Sequence, residues 1–129
     1  MPKFSKKSNA TLEGCHPDLQ KLFQEVIKNF DCTILQGHRS KKLQDEYYRT
    51  GKSKVEYPNS KHNSLPSMAA DVAPYPINWN DKERFYYFAG YVKGLADQMD
   101  IKIRWGGDWD GDTKVNDQSF MDLPHFELL

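Results

Sequence analysis

A chain of 129 residues fits one domain and can bury a real core, which excludes a multidomain assembly. With 38% hydrophobic and 28% charged residues and a mean hydropathy of -0.81, it reads as a globular chain, and no apolar run approaches the roughly 20 residues of a bilayer span. The 18 Lys/Arg balance 18 Asp/Glu, which argues against a dedicated nucleic-acid binder, although residues 1–61 hold 12 basic against 7 acidic side chains and residues 62–129 hold 6 against 11.

Residues 1–10 carry Lys3, Lys6 and Lys7 with no apolar stretch behind them, so no secretory signal is recognised and a flexible N-terminus is expected. Cys15 and Cys32 lie 17 apart without a CxxC pattern and read as reduced thiols. From Pro17, the spacing of Leu19, Leu22, Phe23, Val26, Ile27 and Phe30 predicts a helix with one buried face. Cys32 to Leu35 reads as a buried strand that delivers Gln36, His38 and Arg39 at its end, and Ser40 caps a second helix through Leu43 and Tyr47, stopped by Gly51.

Residues 51–80 contain four prolines and no helical period, which predicts an extended, looping region with a short strand over 69–73. Asn80 and Glu83 resemble a capping box opening a long helix whose stripe is Phe85, Phe88, Ala89, Val92, Leu95, Ala96 and Met99. Ile101, Ile103 and Trp105 alternate with Lys102 and Arg104 as a half-buried strand should; a Gly/Asp-rich loop over 106–117 and a last strand near 125–128 follow. The order predicts a single α+β domain over 1–129, with helices packed on a small antiparallel sheet and no second domain.

Chemistry concentrates around four histidines: His16, His38, His62 and His125. His62 shares its stretch with one carboxylate, Asp71, and Asp122 precedes His125 by three residues. Two imidazoles and a carboxylate can hold zinc with a fourth position open to water, and a neighbouring carboxylate can serve as base. Spacing alone does not single this out, since a lone histidine is more often a surface or hydrogen-bonded residue. Asp108, Asp110 and Asp112 alternate like the start of a calcium loop, but Thr113 and Ser119 stand where an EF-hand needs glycine and a late glutamate. Trp105 and Trp109 either wall a cleft or pack in the core.

Three ordered motifs carry more: Ser60-Lys61-His62 through Asp71 to Pro76, Arg104-Trp105-Gly106-Gly107-Asp108-Trp109, and Asp122-Leu123-Pro124-His125-Phe126-Glu127-Leu128. With His16-Pro17-Asp18-Leu19, the Gly37-His38-Arg39-Ser40 turn and Gly51-Lys52-Ser53-Lys54, the chain from about residue 11 onward resembles the VanY-like zinc peptidases of peptidoglycan. That group includes D-alanyl-D-alanine carboxypeptidases and the L-alanyl-D-glutamate peptidases used as phage endolysins.

The resemblance implies a Zn2+ site of His62, Asp71 and His125, Asp122 as catalytic base, and Arg39 near the developing oxyanion. It gives Ser60 a supporting or substrate-binding place, and His38 beside Arg39 is a weaker candidate for substrate contact. The commoner family pattern separates the His and Asp ligands by seven residues with a glycine between them; here the separation is nine, with Leu65-Pro66-Ser67 in the middle, as in a phage and prophage branch. The implied function is hydrolysis of peptidoglycan stem peptides at the L-Ala-D-Glu bond by a monomeric endolysin. Such an enzyme would be made in the bacterial host cytoplasm and reach the wall after membrane permeabilisation, without inserting in a membrane or binding nucleic acid. The alternatives are a D-alanyl-D-alanine carboxypeptidase and a wall-binding module that has lost catalysis.

Overall fold

In the computed structural model, which describes residues 2–118 and 120–129, the chain begins with a helix that its weak apolar pattern did not announce. Ser5 accepts a hydrogen bond from the Ser8 N–H and starts α1 (Lys6–Glu13), which buries Leu12 and Ser8. Residues 6–10 of the stretch expected to be flexible lie in this helix, where the Ser8 hydroxyl accepts from the Ile34 N–H at 3.1 Å and docks it on the sheet. His16 caps α2 (Pro17–Val26) by accepting from the Asp18 N–H, with Pro17 in the first turn where its missing N–H costs nothing.

Strand β1 (Cys32–Gln36) leads to α3 (Lys41–Arg49), capped by Ser40 as its sequence predicts. After the long loop comes β2 (Ala69–Pro74), then α4 (Lys82–Gln98), β3 (Ile103–Gly106) and β4 (Asp122–Leu128). The cap of α4 is Asp81, not Asn80: Asn78 Oδ1 takes the Asn80 N–H in a local turn, so the chain enters the helix one residue later and Asp81 accepts from Arg84 N–H.

The four strands are antiparallel in the order β1-β2-β4-β3, which makes the protein an α+β domain. Side chains alternate across a strand, and the two faces of this sheet have different chemistry. Ala70, Val72, Phe126, Leu128, Ile103 and Trp105 join the core with α2 and α4. There Phe126 meets the edges of Phe23 and Phe88 at 5.7 and 6.0 Å. Burying one such phenylalanine stabilises the fold by about 1.5–3 kcal/mol. The other face carries Asp71, His125, Glu127 and Arg104. Cys15 and Cys32 are free and buried, and burial pushes their thiols up to about 11 and about 12, which leaves both protonated at neutral pH.

Candidate metal centre and catalytic cleft

Strand register brings the first two polar groups together. Asp71 on β2 and His125 on β4 are direct partners, and directly opposed residues share a face. His62 comes from the loop over 51–68, which hydrogen bonds hold against the end of β1: the Arg39 N–H donates to His62 O at 2.7 Å, and the Asn63 side-chain amide donates to Arg39 O at 3.1 Å. The His62 ring donates Nδ1–H to Gly37 O at 2.7 Å, since a carbonyl can only accept. A side chain at Gly37 would lie 2.8 Å from Cys15 Sγ and 2.9 Å from Thr11 O, so only glycine allows this close packing.

With Nδ1–H spent on Gly37, His62 presents the Nε2 lone pair to Asp71. His125 donates Nε2–H to Glu127 Oε1 at 2.8 Å and presents Nδ1. The three facing atoms form a nearly regular triangle: His62 Nε2 to Asp71 Oδ1 is 3.2 Å, His125 Nδ1 to Asp71 Oδ1 is 3.4 Å, and the two ring nitrogens are 3.3 Å apart. Ligands at the corners of a tetrahedron with zinc bonds of about 2.0–2.1 Å stand about 3.3–3.4 Å apart, so the donor set fits that ion. Asp71 Oδ1 is buried without a hydrogen-bond partner, and such an orphan needs a cation or a proton beside it.

The electrostatics agree. Burial opposes ionisation of Asp71, but contacts with His125 and His62 outweigh it and hold the carboxyl far below its ordinary range. Burial likewise disfavours charge on His125, yet Asp71 and Glu127 raise that imidazole to about 9. The pocket therefore demands positive charge.

Asp122 and Arg39 border this triangle. Burial and the Asp71 charge push the Asp122 carboxyl up, against the pull of His125, His62 and Arg39. Arg39, 7% exposed, donates to Gln36 Oε1 through Nε and Nη2 at 3.0 and 2.7 Å and to Gln44 Oε1 through Nη1 at 2.8 Å. Its guanidinium also lies 4.6 Å from the Tyr47 ring centroid and 3.8 Å from Asp71 Oδ2. A cleft of about 330 Å³ opens over these groups, lined by Arg39, Lys52, Lys54, Ser60, Lys61, His62, Trp109, Phe120, Asp122, His125 and Glu127 among others.

The structure therefore brings His62, Asp71, His125, Asp122, Arg39 and Ser60 to one place. The Ser60 hydroxyl accepts from the His62 N–H at 3.2 Å and shapes that turn. His38 does not join them: it is absent from the cleft lining and borders a separate shallow depression with Ala10, Thr11 and Gly14. His16 is a helix cap. Trp109 walls the cleft, 5.3 Å from the His125 ring, whereas Trp105 is core and donates its indole N–H to Leu123 O. Asp108, Asp110 and Asp112 bring one carboxylate oxygen each within 4.8 Å of one another.

Sequence reasoning missed Gln44 and Glu127, and it placed Gln36 at the strand end without giving it a role. Glu127 had a signal, an acid two residues from His125 on a strand and hence on its face. Gln44, fully buried on α3, had none, because a glutamine among charged helix residues reads as surface.

A family model described as phage L-alanyl-D-glutamate peptidase matches residues 1–129. The L-alanyl-D-glutamate peptidase of Escherichia phage T5 is 31% identical over 135 residues, covering 98% of each chain. Among solved structures, the L-Ala D-Glu endopeptidase ChiX of Serratia marcescens superposes with a TM-score of 0.78 at 27% identity, covering 99% of this chain and 91% of that one.

Proposed function

The chain belongs to the phage L-alanyl-D-glutamate peptidase family, and from that premise we propose how its cleft hydrolyses the L-Ala-D-Glu bond of peptidoglycan as an endolysin-type enzyme. The observation that carries the reading is the triangle of His62, Asp71 and His125 with Asp122 and Arg39 on its rim.

In this proposal His62, Asp71 and His125 hold zinc, which when bound acidifies a water and offsets charge developing on the scissile carbonyl oxygen. Asp122 accepts the proton of the attacking water, for which a carboxyl raised by burial is suited. Water oxygen adds to the alanyl carbonyl carbon, and the carbon–nitrogen bond then breaks. The proton held by Asp122 passes to the departing glutamyl amine, so donor and acceptor balance. Arg39 stays cationic and is fixed by Gln36, Gln44 and Tyr47 before substrate arrives, so little reorganisation is needed as the oxyanion forms. Trp109 and Phe120 wall the cleft and limit water at the reacting carbon.

A D-alanyl-D-alanine carboxypeptidase would use the same groups, but the three matches above all name the L-Ala-D-Glu bond. A wall-binding module would have no use for a base beside a metal-fitting triad. Among the described residues no helix is long and apolar enough to cross a membrane, and in this proposal the enzyme reaches the wall once the host membrane is permeabilised.

Mass spectrometry of a defined muropeptide tests the reading. New N-terminal D-Glu, lost on chelation, restored by zinc and absent with His62→Ala, is expected. Release of terminal D-Ala without internal cleavage would overturn the bond assignment, and stoichiometric zinc in active His62→Ala would overturn the ligand assignment.

A further inference from the structure

Glu127 is a buried carboxylate in the cleft wall, and the mechanism above does not use it. Its two oxygens are divided between partners. Oε1 receives the His125 Nε2–H at 2.8 Å, while Oε2 faces Arg104 Nη1 at 3.6 Å and Lys61 Nζ at 3.8 Å. Strand register explains the arrangement. Glu127 follows His125 by two residues, which returns it to the same face of β4, and it is the direct partner of Arg104 on β3. Lys61 directly precedes His62 and also donates to Leu128 O, so one carboxylate joins both histidine-bearing segments.

An imidazole can offer either nitrogen to a metal, and the partner of the other nitrogen decides which. At His125 the nitrogen facing Asp71 and His62 is Nδ1, and Glu127 occupies the only other one. Arg104 and Lys61 lie beside Oε2, which leaves Oε1 turned toward the ring. We propose that Glu127 is the positioning residue of the metal centre: by accepting Nε2–H it fixes the tautomer and ring plane that turn His125 Nδ1 to the ion. This rests on His62, Asp71 and His125 being the ligands.

The test uses the full chain and zinc alone. Nitrogen-15 spectra of the zinc-loaded wild type should show His125 bound through Nδ1 and protonated at Nε2; coordination through Nε2 would overturn the proposal without any variant. In competition with a chromophoric chelator, Glu127→Ala should bind zinc about 10- to 100-fold more weakly, the usual effect of removing such a partner. Glu127→Gln, which keeps an acceptor oxygen without the charge, should recover part of the loss. Arg104→Met, which leaves Glu127 and its bond to His125 in place, serves as the control for a purely structural ion pair and should lose less than Glu127→Ala. Wild-type affinity in Glu127→Ala, or an equal loss in Arg104→Met, would overturn the inference. His62→Ala is run alongside: if it keeps zinc, the ligand reading has failed, whereas if it loses zinc and Glu127→Ala does not, only the role of Glu127 has failed.

Discussion

Asp122 Oδ2 lies 3.9 Å from His125 Nδ1, although the two residues are three apart in one strand. An even strand would put them on opposite faces. The register of β3 with β4 resolves this: Trp105 pairs with Phe126 and its neighbour Gly106 pairs with Asp122, so residues 123–125 bulge between two adjacent partners. The Trp105 indole N–H donates to Leu123 O at 2.7 Å and pins the bulge. Bulges re-aim side chains beside active sites, and this one turns Asp122 toward the triad.

Gly106 makes that approach possible, because a Cβ there would sit 2.0 Å from Asp122 O, far inside contact distance. In Gly106→Ala the backbone of β4 has to move, at a cost of about 1–3 kcal/mol, the usual range for overpacking. Zinc binding should persist, because His62, Asp71 and His125 are untouched, while turnover falls with the displaced Asp122. Thermal melts, zinc content and peptidoglycan hydrolysis on one preparation check this; a variant with wild-type melting and turnover would show that the close contact is not needed.

Much of this was legible in the sequence, for identifiable reasons. The Ser40 cap, the Phe85 to Ala96 stripe and the Ile103 to Trp105 alternation each depend on neighbours a few residues away, which sequence displays directly. The candidate ligand set of His62, Asp71 and His125 was legible only through resemblance, because Asp71 meets His125 by strand pairing across 54 positions that no local pattern encodes. The bulge was illegible, since Pro124 announces an irregularity without its direction. Helix α1 was hidden because only Leu12 and the small Ser8 are buried, and Ser8 looks like surface until the Ile34 N–H is found above it. His38 stands outside the cleft lining, because adjacency to Arg39 says nothing about side: successive residues of extended chain point opposite ways.

Acid should weaken metal loading. In the metal-free chain His125 is raised from 6.5 to about 9, because Asp71 and Glu127 outweigh burial. A raised folded pKa stabilises the metal-free fold fully below about 6.5, and that contribution is lost as pH rises through about 9. Zinc must displace this proton, so its apparent affinity should climb about tenfold per pH unit between about 6.5 and 9, with about one proton released per ion. Calorimetry in buffers of different ionisation enthalpy counts the protons. Zinc binding independent of pH across that window would mean that His125 is already neutral in the metal-free protein.

Arg39 should matter to turnover more than to binding of the metal. Arg39→Ala removes a cation held by Gln36 and Gln44 and facing the cleft, and loss of one oxyanion donor typically costs about 10²- to 10³-fold in kcat. Zinc content should stay near one per chain. Gln44→Ala, which leaves the charge but frees its Nη1 end, should lose less than Arg39→Ala in kcat. Steady-state kinetics on a soluble muropeptide separates kcat from KM, and an unchanged kcat in Arg39→Ala would reduce the residue to a packing role.

Asp122 separates the base from the ligands. Asp122→Asn preserves size, leaves the His62–Asp71–His125 triangle in place, and removes the group able to accept the water's proton. It also removes a negative charge that supports positive charge on His125, so a small change in zinc affinity is expected alongside the main effect. Turnover should fall by about 10²- to 10⁴-fold, the ordinary scale of general acid–base catalysis, with zinc stoichiometry kept. The competing reading has Asp122 only orienting His125, 3.9 Å away, as an outer partner of the metal. In that case the loss would appear as weak metal binding, and excess zinc would restore the rate. The pH profile gives a second discriminator. A base whose carboxyl is raised by burial and by Asp71 should leave an acidic limb in kcat/KM that disappears in Asp122→Asn, whereas an orienting residue would leave the limb in place. Zinc content, melting temperature and rate against pH on the same protein decide between them: a folded, zinc-loaded Asp122→Asn with near wild-type turnover would end the proposed mechanism.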